Sequence, residues 1–325
     1  LHRVKKFVFK ITAVAMATVV AVPLGGYGLE WFLDWQASKI PDDDGGETLT
    51  FGMRTRRNRF GFRDEEFAIP KPPGVYRILA LGDSFTFGVG LSEDARYTEL
   101  LKLFLEVRCP KESIEVLNAG VSGWSTTKER DWLKDHIDAV QPDCVVIGFC
   151  VNDPKAKGAE WSPEYELWTT RLRWMKTIGL ERVNRHLIGK TLPAVGLMPT
   201  PNSALDSSYA PDSLDWQTFT DALQDMAELC RERSTALVFI SLLYQNGDYG
   251  SPDENLRFIL KWTSRAEDAA RDAGIEVLSV EPQFRAQGNK VRWVNRWDAH
   301  PNGACQEIYA RKLAEKIGRL IKERE

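Results

Sequence analysis

Four short segments of the chain hold the residue types that acyl transfer through a serine requires. They are Gly82-Asp83-Ser84-Phe85-Thr86-Phe87-Gly88, Asn118-Ala119-Gly120-Val121-Ser122-Gly123, Val151-Asn152-Asp153 and Trp297-Asp298-Ala299-His300-Pro301-Asn302. A serine hydroxyl is a poor nucleophile until a neighbouring base takes its proton. A histidine titrates near neutrality, so it can take that proton and return it to the leaving group. A carboxylate beside the imidazole fixes its tautomer and stabilises the imidazolium. Preorganised donors facing the developing oxyanion contribute about 3 kcal/mol each in comparable systems. Of the four histidines, His2 lies in an N-terminal basic flank, His136 in a long surface-type helix and His186 in an irregular stretch. Only His300 stands in one of the four segments.

Each segment has a plainer reading when taken alone. Ser84 suits a helix N-cap. Asn152-Asp153 suits a turn. Gly120 and Gly123 suit backbone bends, and Asp298 with His300 suits a capping pair before Pro301. A phosphate loop is excluded, because Gly82-Asp83-Ser84 lacks the Gly-Lys-Ser/Thr ending and Asp83 would repel phosphate.

The elements that must position these residues alternate. Val75–Leu81 is apolar and β-branched, a buried strand ending at Gly82-Asp83. Leucines and Phe at 100, 101, 103, 104 and 105 predict a helix over Glu93–Val107. Ile114–Leu117 and Cys144–Phe149 read as strands two and three, with a helix over Thr126–Val140 between them. Residues 154–212 break the rhythm with Trp161, Trp168, Trp174 and a Pro/Ser/Asn-rich tail, and are expected to form a helical insertion, more for packing than for binding. A helix near 213–233, a strand over 236–242, a helix near 253–273, a strand over 276–280 and a last helix over about 303–322 follow. Five apolar strands separated by helices imply a parallel sheet covered on both faces, and right-handed crossovers make it α/β, flavodoxin-like and doubly wound. In such sheets the active site lies beyond the carboxyl ends of the strands. The first three segments follow strands one, two and three, and the fourth precedes the last helix.

In this order the four segments resemble the four blocks of the SGNH hydrolases, also called GDSL esterases or lipases, from about Val75 to the end of the chain. The resemblance implies Ser84 as nucleophile, and His300 and Asp298 as general base and orienting carboxylate. It implies an oxyanion hole made by the backbone N–H groups of Ser84 and Gly123 and the side chain of Asn152. The sequence departs from the family pattern twice. Cys150 stands where a glycine usually precedes the Asn by two residues, which is expected to change the loop only locally. The fourth block reads Asp-x-His rather than the longer Asp-x-x-His, a variant also familiar in the family.

Upstream, Arg3, Lys5, Lys6 and Lys10 precede an uncharged stretch from Ile11 to Leu29, with Tyr27, Trp31, Phe32 and Trp35 around its far end. Nineteen helical residues span about 28 Å, close to the bilayer core, and the charge asymmetry keeps the N-terminus inside. Residues 1–35 are therefore expected to be a signal anchor that leaves the rest periplasmic or on the cell surface. The alternative is a signal peptide cleaved after Val19-Val20-Ala21, which exports the domain as well. Residues 36–74 read as a polar linker and an extended arm packed on the hydrolase domain, and 75–325 as that domain. Asp42–Asp44 beside Gly45-Gly46 reads as solvated linker and not as a metal site.

The chain has 325 residues and a formal net charge of -3, which gives no electrostatic reason to bind nucleic acid. Five cysteines, Cys109, Cys144, Cys150, Cys230 and Cys305, show no CxxC spacing, and no cofactor or metal is expected. One disulfide stays open; Cys144 and Cys150 read as small core hydrophobes. The resemblance implies a serine esterase that hydrolyses a short, acetyl-like ester on a cell-envelope glycan or lipid. The alternatives are an O-acyltransferase acting on extracellular polysaccharide with the same triad, and a non-catalytic glycan-binding module.

Overall fold

The computed structural model describes residues 48–50, 53–154, 201–243, 252–287, 293–295 and 298–324. The chain divides into two compact units, 1–43 with 159–206, and 44–158 with 207–325. Apart from 201–206, the described residues belong to the second unit. The apolar stretch 11–29 and most of the 154–212 insertion lie outside the described residues, and among those described no helix is long and apolar enough to cross a membrane.

A small antiparallel hairpin, β1 (Thr48–Thr50) and β2 (Met53–Thr55), precedes the main sheet. Strand β3 (Val75–Gly82) leads into a one-turn helix, α1 (Ser84–Phe87). A 3-10 turn at Glu93–Ala95 and helix α2 (Tyr97–Arg108) then cross to β4 (Ser113–Gly120). Helix α3 (Thr126–Val140) returns to β5 (Cys144–Phe149). After α4 (Pro201–Ser208) come α5 (Leu214–Glu232), β6 (Ala236–Ser241), α6 (Pro252–Asp272) and β7 (Glu276–Leu278). The chain closes with α7 (Glu281–Gln287), the hairpin β8 (Trp293–Asn295) and β9 (Asp298–Pro301), and α8 (Gly303–Glu323).

The five long strands pair in the order β4-β3-β5-β6-β7, all parallel, which is the flavodoxin-like 2-1-3-4-5 arrangement expected from the sequence. The crossover from β3 to β4 runs one way along the sheet and the next runs back. Right-handed connections therefore place α2 on one face and α3 on the other. Helix α8 packs against α2, and α3 against α5, so both faces are covered. That coverage explains why β5 is buried along its whole length and β3 from Tyr76 onward.

The strand expected over 276–280 stops at Leu278, and α7 and the β8–β9 hairpin are additions to the sequence expectation. Two other differences have identifiable reasons. Strand two runs on through Asn118-Ala119-Gly120, because the buried Asn118 side chain bonds inward and these residues pair with Ala80, Leu81 and Gly82 of β3. The helix expected over 93–107 is broken at Arg96, whose extended backbone (φ -75°, ψ 147°) lets its buried guanidinium reach the Arg63 carbonyl, Glu93 and Glu99. All five cysteines are free and buried, so the disulfide left open by the sequence does not form. Cys144 and Cys150 sit in the core as small hydrophobes.

The arm docks on this unit through buried arginines. Arg77 of β3 donates to the Ala68 carbonyl at 2.9 Å and to Val140 O at 2.7 Å, and pairs with Glu115 at 2.5 Å. Phe60, Phe62 and Phe67 of the arm form an aromatic layer with Trp124, Trp132 and His136.

Candidate active site

The switch point between β4, β3 and β5 gathers three of the four segments. Gly120, Gly82 and Gly148 stand in one register row across these strands, near their carboxyl ends. Helix α1 lies against that row. A Cβ on Gly120 would come within 2.2 Å of the Phe87 backbone nitrogen, and one on Gly82 within 2.1 Å of Thr86 Oγ1. The glycines are there because the turn that carries Ser84 approaches the sheet more closely than any side chain permits.

Ser84 opens α1 and is half-buried. Asp83, 1% exposed, caps the turn: its Oδ1 accepts from Phe85 N at 2.8 Å. Its Oδ2 accepts from Ser84 Oγ at 3.3 Å and from Asn152 Nδ2 at 3.2 Å. Serine hydroxyl and asparagine amide thus meet at one carboxylate oxygen. Burial pushes the Asp83 carboxyl above its usual range, against the pull of Phe85 N, Asn152, His300 and Ser84.

Asn152 is presented by a tight turn closed in both directions: Asp153 N donates to Cys150 O at 3.0 Å, and Cys150 N to Asp153 Oδ2 at 2.8 Å. Cys150 therefore leaves the turn intact, as expected. Gly123 lies in an exposed turn just after β4 with φ +79°, a left-handed conformation that favours glycine. Val121 N in that loop donates to Gly82 O at 3.0 Å, tying it to the end of β3 just before Ser84.

His300 stands on β9, half-buried, with its ring edge-on to that of Phe85 at 5.3 Å between centroids. Asp298 begins the same strand, its backbone in register with Asn295; its side chain lies outside the described residues. The described geometry brings Ser84, Asn152 and His300 together around Asp83 and Phe85. Of the other histidines, His136 stacks on Trp132 at 4.4 Å, away from these groups, and His2 and His186 lie outside the described residues.

Four contributors escaped the sequence reading. Asp83 was readable in principle, as an Asp just before a helix start. Asn118 opens the second segment: its Nδ2 donates to Thr86 O at 2.8 Å and Thr98 Oγ1 at 3.0 Å, and its Oδ1 accepts from Gly120 N at 3.0 Å. Arg63 and Gln306 hold carbonyls of α1 and its C-cap (Arg63 Nη1 to Phe87 O at 3.3 Å and Gly88 O at 2.6 Å; Gln306 Nε2 to Phe85 O at 3.5 Å) and carry no local signal.

Two further buried acids face Asp83. Glu129, fully buried on α3 with neither oxygen hydrogen-bonded, has its carboxyl raised to about 8 by burial and by the Asp83 charge. Asp153 is pushed well above the carboxylate range by burial, Glu129 and Asp83. A cavity of about 660 Å³ opens elsewhere, at the amino ends of the strands, lined by Lys71, Tyr76, Asp143, Arg233 and Arg324. Its ions pair with one another, Lys71 with Asp143 at 2.5 Å and Arg233 with Asp138 at 2.7 Å, and no candidate site residue lines it.

Residues 80–308 match the GDSL-like lipase/acylhydrolase family. Among solved structures, the chain is similar to the psychrotrophic esterase EstA from a Pseudoalteromonas species, at 15% identity, 76% of this chain, 99% of that one and a TM-score of 0.44. It is also similar to Axe2, an acetylxylan esterase from Geobacillus stearothermophilus, at 18% identity, 75% of this chain, 94% of that one and a TM-score of 0.45. No curated protein sequence matches the chain.

Proposed function

The chain belongs to the GDSL-like lipase/acylhydrolase family and is a carboxylic ester hydrolase, and from that premise we propose that it cleaves a short-chain O-acyl ester through an acyl-serine formed on Ser84. The observation that carries this reading is the meeting of Ser84 Oγ and Asn152 Nδ2 at a single oxygen of Asp83. A carbonyl carbon above Ser84 Oγ has its oxygen on the side of Asn152. The Asn152 amide and the N–H groups of Ser84 and Gly123 are the donors for the oxyanion.

The reaction runs in two halves. His300 takes the Ser84 proton as Oγ bonds to the carbonyl carbon, then gives it to the departing alcohol oxygen. A water, deprotonated by His300, next attacks the acyl-serine and releases the acid, restoring Oγ–H. Asp298, two residues before His300, is the carboxylate that orients the imidazole.

The substrate is proposed to be an acylated glycan or lipid of the cell envelope, and residues 1–35 to be a membrane anchor, or else a cleaved export signal, that leaves the catalytic domain outside the membrane. The location rests on the basic flank and uncharged stretch of the sequence, and the substrate class on that location and on analogy with the family. Peptide mapping after a fluorophosphonate tests the nucleophile: one adduct on Ser84 is expected, and folded protein without it would return the chain to the glycan-binding reading. Turnover of p-nitrophenyl acetate against longer acyl chains tests the acyl length.

A further inference from the structure

We propose that Arg63, supplied by the arm that precedes the hydrolase fold, is a positioning residue for Ser84, which makes the arm a working part of the active site. The proposal rests on the reading of Ser84 as nucleophile. Helix α1 has four residues, too few to hold a conformation by its own hydrogen bonds. Its carbonyl end must be fixed from outside, and Arg63 does so. Nη1 donates to Phe87 O at 3.3 Å and to Gly88 O at 2.6 Å, and Nη2 to Leu91 O at 2.7 Å. The guanidinium also lies over the Phe87 ring, 5.5 Å from its centroid.

The grip passes directly to the nucleophile. Gly88, whose carbonyl Arg63 holds, donates its own N–H to the Ser84 carbonyl at 3.1 Å, and Val89 N donates there at 3.2 Å. Displacing Gly88 therefore displaces the Ser84 backbone. The opposite side of Gly88 is closed as well: it has φ +76°, and a Cβ there would meet Arg96 Cγ at 2.6 Å. Arg96 in turn holds the Arg63 carbonyl while Glu93 and Glu99 neutralise it.

The electrostatic cost argues for a positional role. Arg63 is 2% exposed, and among the described residues no carboxylate lies within ion-pair distance of it. Burial and the neighbouring Arg96 lower its pKa to about 10, so it stays charged at neutral pH. A buried cation held among the described residues by carbonyls and a ring, with Glu93 as a counter-charge beyond ion-pair distance, is a poor route to stability. Its planar fork, however, reaches Gly88 O and Leu91 O from two different nitrogens, which an ammonium point charge cannot reproduce.

The test measures the rate of fluorophosphonate labelling at Ser84, with kcat and KM on p-nitrophenyl acetate, for the full chain, Arg63→Ala, Arg63→Lys and a Ser84→Ala blank. Melting curves establish that each variant is folded at the assay temperature. Arg63→Ala is expected to label at least about tenfold more slowly, with kcat reduced and KM nearly unchanged, and millimolar guanidinium is expected to restore part of the rate. Arg63→Lys should keep the charge and stay slow. Wild-type labelling by a folded variant would overturn the proposal, as would a loss that guanidinium fails to relieve and that scales with the unfolded fraction. If Arg63→Ala does not fold, Arg63→Lys decides by the same criteria. Absence of labelling in the wild-type protein would instead overturn the nucleophile reading, and this proposal with it.

Discussion

Ser84 stands on a single helical turn whose carbonyls are held by side chains from distant parts of the chain, whereas His300 stands on a four-residue strand fastened by the long helix that follows it. In α1 and its C-cap, Phe85 O accepts from Gln306 at 3.5 Å, Thr86 O from Asn118, and Phe87 O and Gly88 O from Arg63. Beyond His300 the anchoring is local: Pro301 is buried and Asn302 caps the 21-residue α8. The difference follows from helix length. Twenty-one residues with a buried stripe including Ile308, Leu313 and Ile317 define their own axis, and four residues do not. Gln306 joins the two halves, since its Oε1 also accepts from Tyr97 N at 2.8 Å.

The largest expected effects remove the groups proposed to react and leave both supports in place. Ser84→Ala and His300→Ala should each lower kcat for ester hydrolysis by at least about 10⁴-fold. Neither should move the urea midpoint much, because the side-chain bonds that hold α1 end on backbone carbonyls that neither substitution removes. Near-normal turnover in either variant would break the comparison at its root. Next comes a support of the serine side. Asn118→Ala deletes one acceptor and two donor bonds of a fully buried amide, and should cost about 3 kcal/mol in urea unfolding together with a clear fall in kcat. A loss below about 0.5 kcal/mol, within the range of ordinary surface substitutions, would show that the turn holds itself.

The serine side also rests over buried acids, with Asp83, Asp153 and Glu129 facing one another. The folded Glu129 carboxyl is raised, so its contribution to stability is complete below the unfolded value of 4.5 and is lost as pH rises through about 8. Across that window one such group lowers unfolding free energy by up to about 1.4 kcal/mol per pH unit. Glu129→Gln should flatten the decline without abolishing it, because Asp83 and Asp153 are raised as well. Urea midpoints taken from pH 5 to about 8.5 check this; identical slopes in both proteins would remove Glu129 from the cluster.

The sheet was legible because a parallel strand buried on both faces must be continuously apolar, as Cys144–Phe149 is, and because glycines punctuate the strand ends. The candidate residues were legible as four segments because each stands at or near an element boundary. What stayed hidden is long-range. Nothing near Arg63 shows that its guanidinium ends 25 residues away at Gly88, and Arg96 interrupts a helical pattern for a tertiary bond. The continuation of β4 through Gly120 was hidden for the same reason, since an asparagine in a strand reads as a stop until its buried partners are known.

The smallest expected effect falls on the histidine side. Asn302 Oδ1 accepts from Cys305 N at 3.2 Å, and Asn302→Ala removes that cap for about 1 kcal/mol of stability. If His300 is positioned by α8 as a whole, kcat should change less than about threefold, a barrier change below roughly 0.7 kcal/mol. The helix keeps its register through Tyr309, Leu313 and Ile317, all fully buried, whatever happens at its first turn. A fall in kcat of tenfold or more with the expected small stability loss would mean that the cap itself fixes the imidazole. The two halves of the site would then be alike, each hanging on individual side-chain bonds, and the contrast between a borrowed turn and a self-supporting helix would fail.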